Sequence, residues 1–304
     1  MDVQQIGATD DGVPVFLDRH ARGADHIVVV NRIKCHTKFK ASIESGLMKM
    51  MAIGMGKHKG AAYYHKAAVA YTFPKIIRDA ARIVLQQTPV VCGIGIIENG
   101  YGETARIAAF KPENMESGEE KLLSQSKKMM AHLPFDDIDL LIVDEMGKNI
   151  SGVGIDPNVT GRNRDFVEVF DHPVRIKRVF VRDLTEQSKG NAIGIGLADL
   201  TTRRVIDQID WDATYLNVFT SGIFRSALMP VPLQNDRAAV ETALARVPVA
   251  ANARMVRIVN TSKLDTFWAS EAILPELETN SNISVDSQAL ELCFDENGRI
   301  IGCF

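Results

Sequence analysis

Short Val- and Ile-rich runs alternate along this chain with segments of helical period, and that alternation constrains the fold more than any other feature. Strand-length apolar runs separated by amphipathic stretches bury their apolar surface best as helices packed on a sheet. The chain therefore reads as α/β rather than as separate all-α and all-β parts. Val15–Leu17, His26–Ile33, Val90–Glu98, Ala105–Phe110, Leu140–Asp144, Arg178–Arg182 and Arg254–Val259 read as strands. Thr72–Gln87 is the clearest helix, with Ile76, Ile77, Ala80, Ala81 and Val84 on one face and Lys75, Arg78, Asp79 and Arg82 away from it. Lys121–His132 and the stretch around Arg237–Arg246 are also helical in pattern. Asn99-Gly100-Tyr101-Gly102 is a turn sequence joining two of the strands, and Glu296-Asn297-Gly298 predicts a C-terminal hairpin over 289–304.

With 304 residues, 46% of them hydrophobic and 24% charged, the chain can bury one large core or two medium ones. Pro134 and the acidic connection Phe135–Asp139 punctuate the sequence just before a new strand. They predict a cofactor-binding domain over 1–135 and a second α/β domain over 136–304. The longest apolar runs are strand-sized, so no membrane passage is expected. The amino terminus has no basic and apolar leader pattern, and the four cysteines are far apart with no C-x-x-C pair. A reducing cytoplasm fits both, with Cys35 read as a buried structural residue.

The stretch from Arg32 to Lys66 holds eight Lys/Arg against one acid, Glu44, in a chain whose net charge is −3. It also holds His36, His58, His65 and four glycines. Such a local cationic excess repels itself unless an anion or a compensating surface lies nearby, so the run reads as an anion site with metal-capable imidazoles. His36 directly follows a strand, at the carboxyl end where open α/β sheets take ligands. Ser45-Gly46, ahead of a helix-like segment, offers backbone N–H groups to phosphate or carboxylate, and the later glycines, Gly60 among them, permit close backbone approach. The methionines and Leu47 read as core filling, and His58, between two lysines, as solvent-facing. Core filling does not explain the lysines and histidines of the same segment, which favours Lys49 and His65 as ligands.

The order His36, then Ser45-Gly46-x-x-Lys49, then Gly60-Ala61 and His65, with Lys49 and His65 sixteen positions apart (65 − 49 = 16), resembles the cofactor-binding region of the nickel-pincer lactate racemase family. The resemblance implies two Rossmann-like three-layer domains with a cleft between them. It implies a nickel-pincer nucleotide (a nickel pyridinium dithio mononucleotide) held by Lys49, Ser45, Gly46 and Gly60, with His65 a protein ligand to nickel and His36 a catalytic acid/base. The expected reaction is racemisation or epimerisation of an α-hydroxy acid or related polyol acid by hydride transfer, with that small-molecule hydroxy acid as the expected partner and no nucleic acid or membrane. Family members carry a longer segment, with a second catalytic histidine, ahead of the region resembling Asp11–Asp18. The first domain is accordingly expected to be N-terminally truncated, and the chain poorly active alone.

In the second half, Lys148 and Asn149 follow a strand and are candidates for binding a substrate carboxylate or hydroxyl, with Arg162 further along the same polar loop. The Gln-x-x-Lys arrangement expected of lactate racemases does not align here, so the substrate is left broader than lactate. The alternative function is a noncatalytic nucleotide- or phosphate-binding protein using the same basic run. A nucleic-acid binder would be basic throughout, and this chain is not.

Overall fold

The structure, a computed structural model, describes residues 2–163, 172–249, 252–286 and 289–302. It is mixed α/β and divides into two units, the first ending at Met130 and the second beginning at Ala131. Among the described residues no helix is long and apolar enough to cross a membrane.

The first unit opens with an antiparallel pair, β1 (Val3–Ala8) and β2 (Pro14–Asp18). A second sheet has the order β3 (Ile27–Arg32), β4 (Val90–Glu98), β5 (Thr104–Phe110), parallel between β3 and β4 and antiparallel between β4 and β5. Asn99 sets the β4–β5 turn, its side-chain oxygen accepting the N–H groups of Tyr101 and Glu103, each at 3.0 Å. The helices are α1 (Lys57–Ala67), α2 (Phe73–Gln87) and α3 (Met115–Met129).

In α2 the apolar stripe Ile76, Ile77, Ala80, Ala81 and Val84 is buried, as its period requires. Met115 and Leu122 of α3 lie over β4, where two of the inward positions are glycines. A Cβ on Gly93 would come within 2.7 Å of the Met115 methyl, and one on Gly95 within 3.0 Å of a Leu122 methyl. The other face of this sheet, carrying Val28, Val30 and Ile107, is exposed.

The second unit is a six-stranded sheet in the order β11-β10-β6-β7-β8-β9. Its strands are β6 (Asp137–Val143), β7 (Arg175–Val181), β8 (Leu200–Thr202), β9 (Val231–Leu233), β10 (Met255–Ile258) and the antiparallel edge β11 (Trp268–Ala269), the other five being parallel. Residues of β6 and β7 alternate between two cores. Leu141, Val143, Val179 and Val181 enter one, while Leu140, Ile142 and Phe180 join Ala239, Val240 and Ala243 in the other. Burial on both faces accounts for the nearly continuous apolar sequence of β6. The two longer helices of this unit are α4 (Trp211–Ser221) and α5 (Asp236–Leu244), of which α5 packs on β6 to β9.

Within the tail, the described part of 289–304 turns back on itself over a shorter span than the sequence reading gave it. Phe294 and Ile300 form an antiparallel bridge across the Asp295–Gly298 turn, flanked by backbone bonds from the Asp295 N–H to the Arg299 carbonyl (2.9 Å) and from the Ile301 N–H to the Cys293 carbonyl (3.0 Å). The outward-facing backbone groups of this short hairpin are taken by side chains of the second unit. The Ile300 N–H donates to Asp236 (3.0 Å), Arg182 donates to the Ile300 carbonyl (3.1 Å), and Arg257 to the Gly302 carbonyl (3.3 Å). Cys303 and Phe304 lie outside the described residues.

Candidate functional site

The site grows from the carboxyl end of β3. Beyond Arg32 the chain loops out and returns through backbone bonds between Lys34 and Ser45, at 2.9 and 3.3 Å. Inside that loop lies Glu44, the run's one acid and fully buried. Its carboxylate accepts the N–H of His36 (2.6 Å) and of Ala41 (3.0 Å) and pairs with the Lys127 ammonium of α3 (2.6 Å). Glu44 thus fixes the backbone that carries His36, with the desolvation of its charge offset by three donors.

After Ser45 the chain makes one helical turn, Leu47–Lys49, that widens into a π-helical turn, Met50–Gly54, closed by the Met55 N–H on the Met50 carbonyl at 2.9 Å. A widened turn rotates the residues after it relative to a regular helix and recurs at functional sites. Leu47, Met48 and Met51 are fully buried, while Lys49 is only partly so. The Lys49 ammonium lies 3.4 Å from the Ser45 hydroxyl, and no carboxylate pairs with it among the described residues.

His36 stacks on Phe39 (centroids 4.1 Å apart), Phe39 on Phe73 (6.1 Å), and His65 of α1 meets Phe73 edge-on (4.9 Å). This row of rings joins the loop, α2 and α1, and places both imidazoles in one neighbourhood. Burial holds the His36 pKa well below its ordinary value, reinforced by the charges of Lys49, Lys38, Lys40 and His65. The ring is therefore neutral near pH 7. Its Nδ1 accepts the Lys38 N–H at 3.1 Å, which leaves the ring proton on Nε2. Burial, then the charges of Lys34 and Lys38, pushes the Lys49 amine down to about 8. The geometry thus brings together a neutral imidazole, a partly deprotonated amine and a second imidazole among several cations. That arrangement suits an anionic ligand able to meet a nitrogen donor.

The reading of Ser45-Gly46 as an open anion seat is corrected. Glu119 of α3, fully buried, already accepts the Met48 N–H (2.9 Å) and that of Leu47. A Cβ on Gly46 would overlap its carboxylate. Gly46 makes room for a side chain of the protein, not for a ligand. Burial raises the Glu119 pKa to about 7, the two N–H groups opposing it. Gly60 is buried in α1 against Tyr64, where a Cβ would make ordinary 3.6 Å contact, so no protein neighbour requires a glycine there. His58 is exposed, as expected.

Lys148 and Asn149 belong to the second unit and have partners there. The Lys148 ammonium donates to Asn217 of α4, and the Asn149 side-chain oxygen accepts the Thr185 hydroxyl at 2.6 Å. Arg162 is committed to Asp199 (2.7 Å) and the Ile176 carbonyl (2.8 Å). Sequence reasoning missed Glu119 and Phe73, both far along the chain from the run they support. It also missed a buried ionic cluster in the second unit. Asp144 pairs with Arg182 (2.5 Å) and Arg257 (2.8 Å), and Asp236 with Arg182 (2.8 Å). Among the described residues no group of three or more His, Cys, Asp or Glu is arranged to hold a metal by itself.

No protein-family model matches the chain, and no curated protein matches it. Among solved structures it is similar to the lactate racemase apoprotein from Thermoanaerobacterium thermosaccharolyticum, at 12% identity and a TM-score of 0.47, over 86% of this chain and 67% of that one. The likeness is a loose one of α/β architecture, and no function follows from it.

Proposed function

We propose that the chain acts as a racemase or epimerase of an α-hydroxy acid or related polyol acid, using a nickel-pincer nucleotide bound in the first unit. The observation that carries the reading is the convergence of His36, Lys49 and His65 within one cationic neighbourhood, the three residues on which the sequence resemblance rests. The donor set fits the group in two respects. Imidazole, the side chain of His65, is a competent nickel ligand once deprotonated, and the partly accessible Lys49 amine can contact or bond to the pincer. The Gly46 turn does not fit a phosphate, because Glu119 fills it. The nucleotide phosphate would instead be drawn by the overall positive charge of the loop that runs from Lys34 to Lys40.

When bound, such a cofactor supplies reversible acceptance of a hydride from the substrate carbon. The protein's part is to charge and orient. The cations hold the substrate carboxylate, and His36 donates a hydrogen bond from Nε2–H to the hydroxyl or keto oxygen. For His36 to remove the hydroxyl proton at Nε2, the ring proton must move to Nδ1 and the Lys38 N–H must give up its bond.

The test is the metal. Protein supplied with the nickel-pincer nucleotide should retain about one nickel per chain by mass spectrometry, and His65→Ala should lose it together with the charge-transfer absorbance. Full nickel in His65→Ala refutes the assignment. Nucleotide binding with no nickel and no racemisation would favour the rival, noncatalytic phosphate-binding reading.

A further inference from the structure

We infer that Lys49 is a carbonyl-reactive amine, which condenses with small aldehydes or ketones carrying an anionic group, 2-oxo acids foremost, to form an imine. The inference goes beyond the nickel reading and needs no metal. It rests on the placement of the amine. Lys49 leaves a helical turn whose other side chains, Leu47 and Met48, are fully buried, and whose N–H groups are anchored by Glu119. The amine itself remains partly accessible, has no carboxylate partner among the described residues, and touches only the Ser45 hydroxyl at 3.4 Å.

Around it lie Lys34 and Lys38, whose charges it feels, and the His36 ring, which feels the charge of Lys49 in turn. Nearly every lysine on a protein surface is protonated at neutral pH and so is inert as a nucleophile. Burial beside other cations makes a lysine nucleophilic. Here both conditions hold, and a sizeable fraction of the amine is neutral at pH 7 to 8. The same cations attract the carboxylate of the incoming molecule, which gives the site its preference for anionic carbonyl compounds over neutral ones.

The chemistry balances without any added oxidant or reductant. The lone pair on the Lys49 nitrogen attacks the carbonyl carbon, and the C=O π electrons move to oxygen. A proton passes from nitrogen to that oxygen to give a carbinolamine. The nitrogen lone pair then re-forms a double bond to carbon as the hydroxyl leaves as water, and the product is the imine with its protonated form. His36, whose ring feels the charge of Lys49, lies in the same cationic neighbourhood. Ser45 and the Lys34 and Lys38 cations complete the set of groups bearing on the amine.

The experiment uses the metal-free full chain with pyruvate as probe, borohydride to reduce the imine to a stable secondary amine, and peptide mass mapping. One adduct per chain is expected, on Lys49, with labelling at least about tenfold faster than at Lys57 or Lys59, as a drop of the amine pKa to about 8 allows. Lys49→Arg should abolish it. Acetone, which has no anionic group, should label at least about tenfold more slowly than pyruvate, since the cations then contribute nothing. Labelling spread evenly over the lysines, or unchanged in Lys49→Arg, overturns the inference, and so does its absence in a wild-type chain shown by circular dichroism to be folded. None of these results bears on nickel retention, so the two readings fail separately.

Discussion

At the scale of single residues, burial moves the pKa values of groups in and under the candidate site away from their ordinary positions. Lys49 is the clearest case. Its folded pKa of about 8 lies below the ordinary lysine value of 10.5, so it contributes stability that is present above pH 10.5 and lost as pH falls through 8. At pH 7 the protein therefore carries a protonated ammonium in a place that disfavours it. Lys49→Met, which keeps the stem and removes the charge, should raise stability at pH 7 by about 1–2 kcal/mol, after discounting for partial exposure. The gain should shrink toward pH 10, read as the difference between variant and wild type in urea unfolding, and carbonyl reactivity should be lost. Equal or lower stability in Lys49→Met at pH 7 would mean that the ammonium is solvated there. His36, Lys49 and His65 were legible in the sequence because their spacing and their excess of charge within one run are local features. Glu119 was not. It sits in Met115-Glu116-Ser117-Gly118-Glu119-Glu120, where nothing distinguishes it from Glu116 and Glu120, which are partly exposed, and its partner Met48 is 71 positions away.

At the scale of elements, the turn that carries Lys49 depends on α3. The Glu119 carboxyl accepts the Leu47 and Met48 N–H groups, which no other described side chain caps. Glu119→Gln keeps an acceptor for Met48, whereas Glu119→Ala leaves buried N–H groups without a partner, at roughly 1–3 kcal/mol each. The alanine variant should thus lose on the order of 3 kcal/mol and the glutamine variant much less. The sign of the pH effect follows from the raised pKa. Glu119 contributes stability that is fully present below its unfolded value of 4.5 and is lost as pH rises through about 7. Wild type should therefore fall behind Glu119→Gln between pH 5 and 8 in thermal melts. A constant difference across that range would show that the carboxyl is already ionised at pH 5. Elements with strong local signals were legible, as Val90–Glu98 and Phe73–Gln87 show. The helix Trp211–Ser221 was not, because Tyr215, Leu216 and Phe219 are exposed in it and break the one-faced pattern that marks a helix in sequence. The three-residue strands β8 and β9 are too short to leave a period-2 trace.

At the scale of the whole molecule, each unit has its own core, and the charged groups that stabilise the second are remote from the candidate site of the first in sequence and in chemistry. Asp144 at the end of β6 neutralises Arg182 and Arg257, and Arg257, only 6% exposed, also lies over the Trp268 ring at 4.1 Å. Removing one member of a buried pair leaves an uncompensated charge, at about 3–5 kcal/mol. Both tryptophans, Trp211 and Trp268, belong to the second unit, so tryptophan fluorescence reports that unit alone. Asp144→Ala should lower the fluorescence-detected midpoint by several degrees, while a circular-dichroism melt retains a component at the wild-type temperature from the first unit. Glu119→Ala should do the reverse, leaving the fluorescence midpoint in place while part of the dichroism signal moves down. Were both probes to shift together in both variants, the two cores would be one cooperative structure. Stability could then not be tuned in one without cost to the other, and the carbonyl reactivity of Lys49 should fall in Asp144→Ala as well.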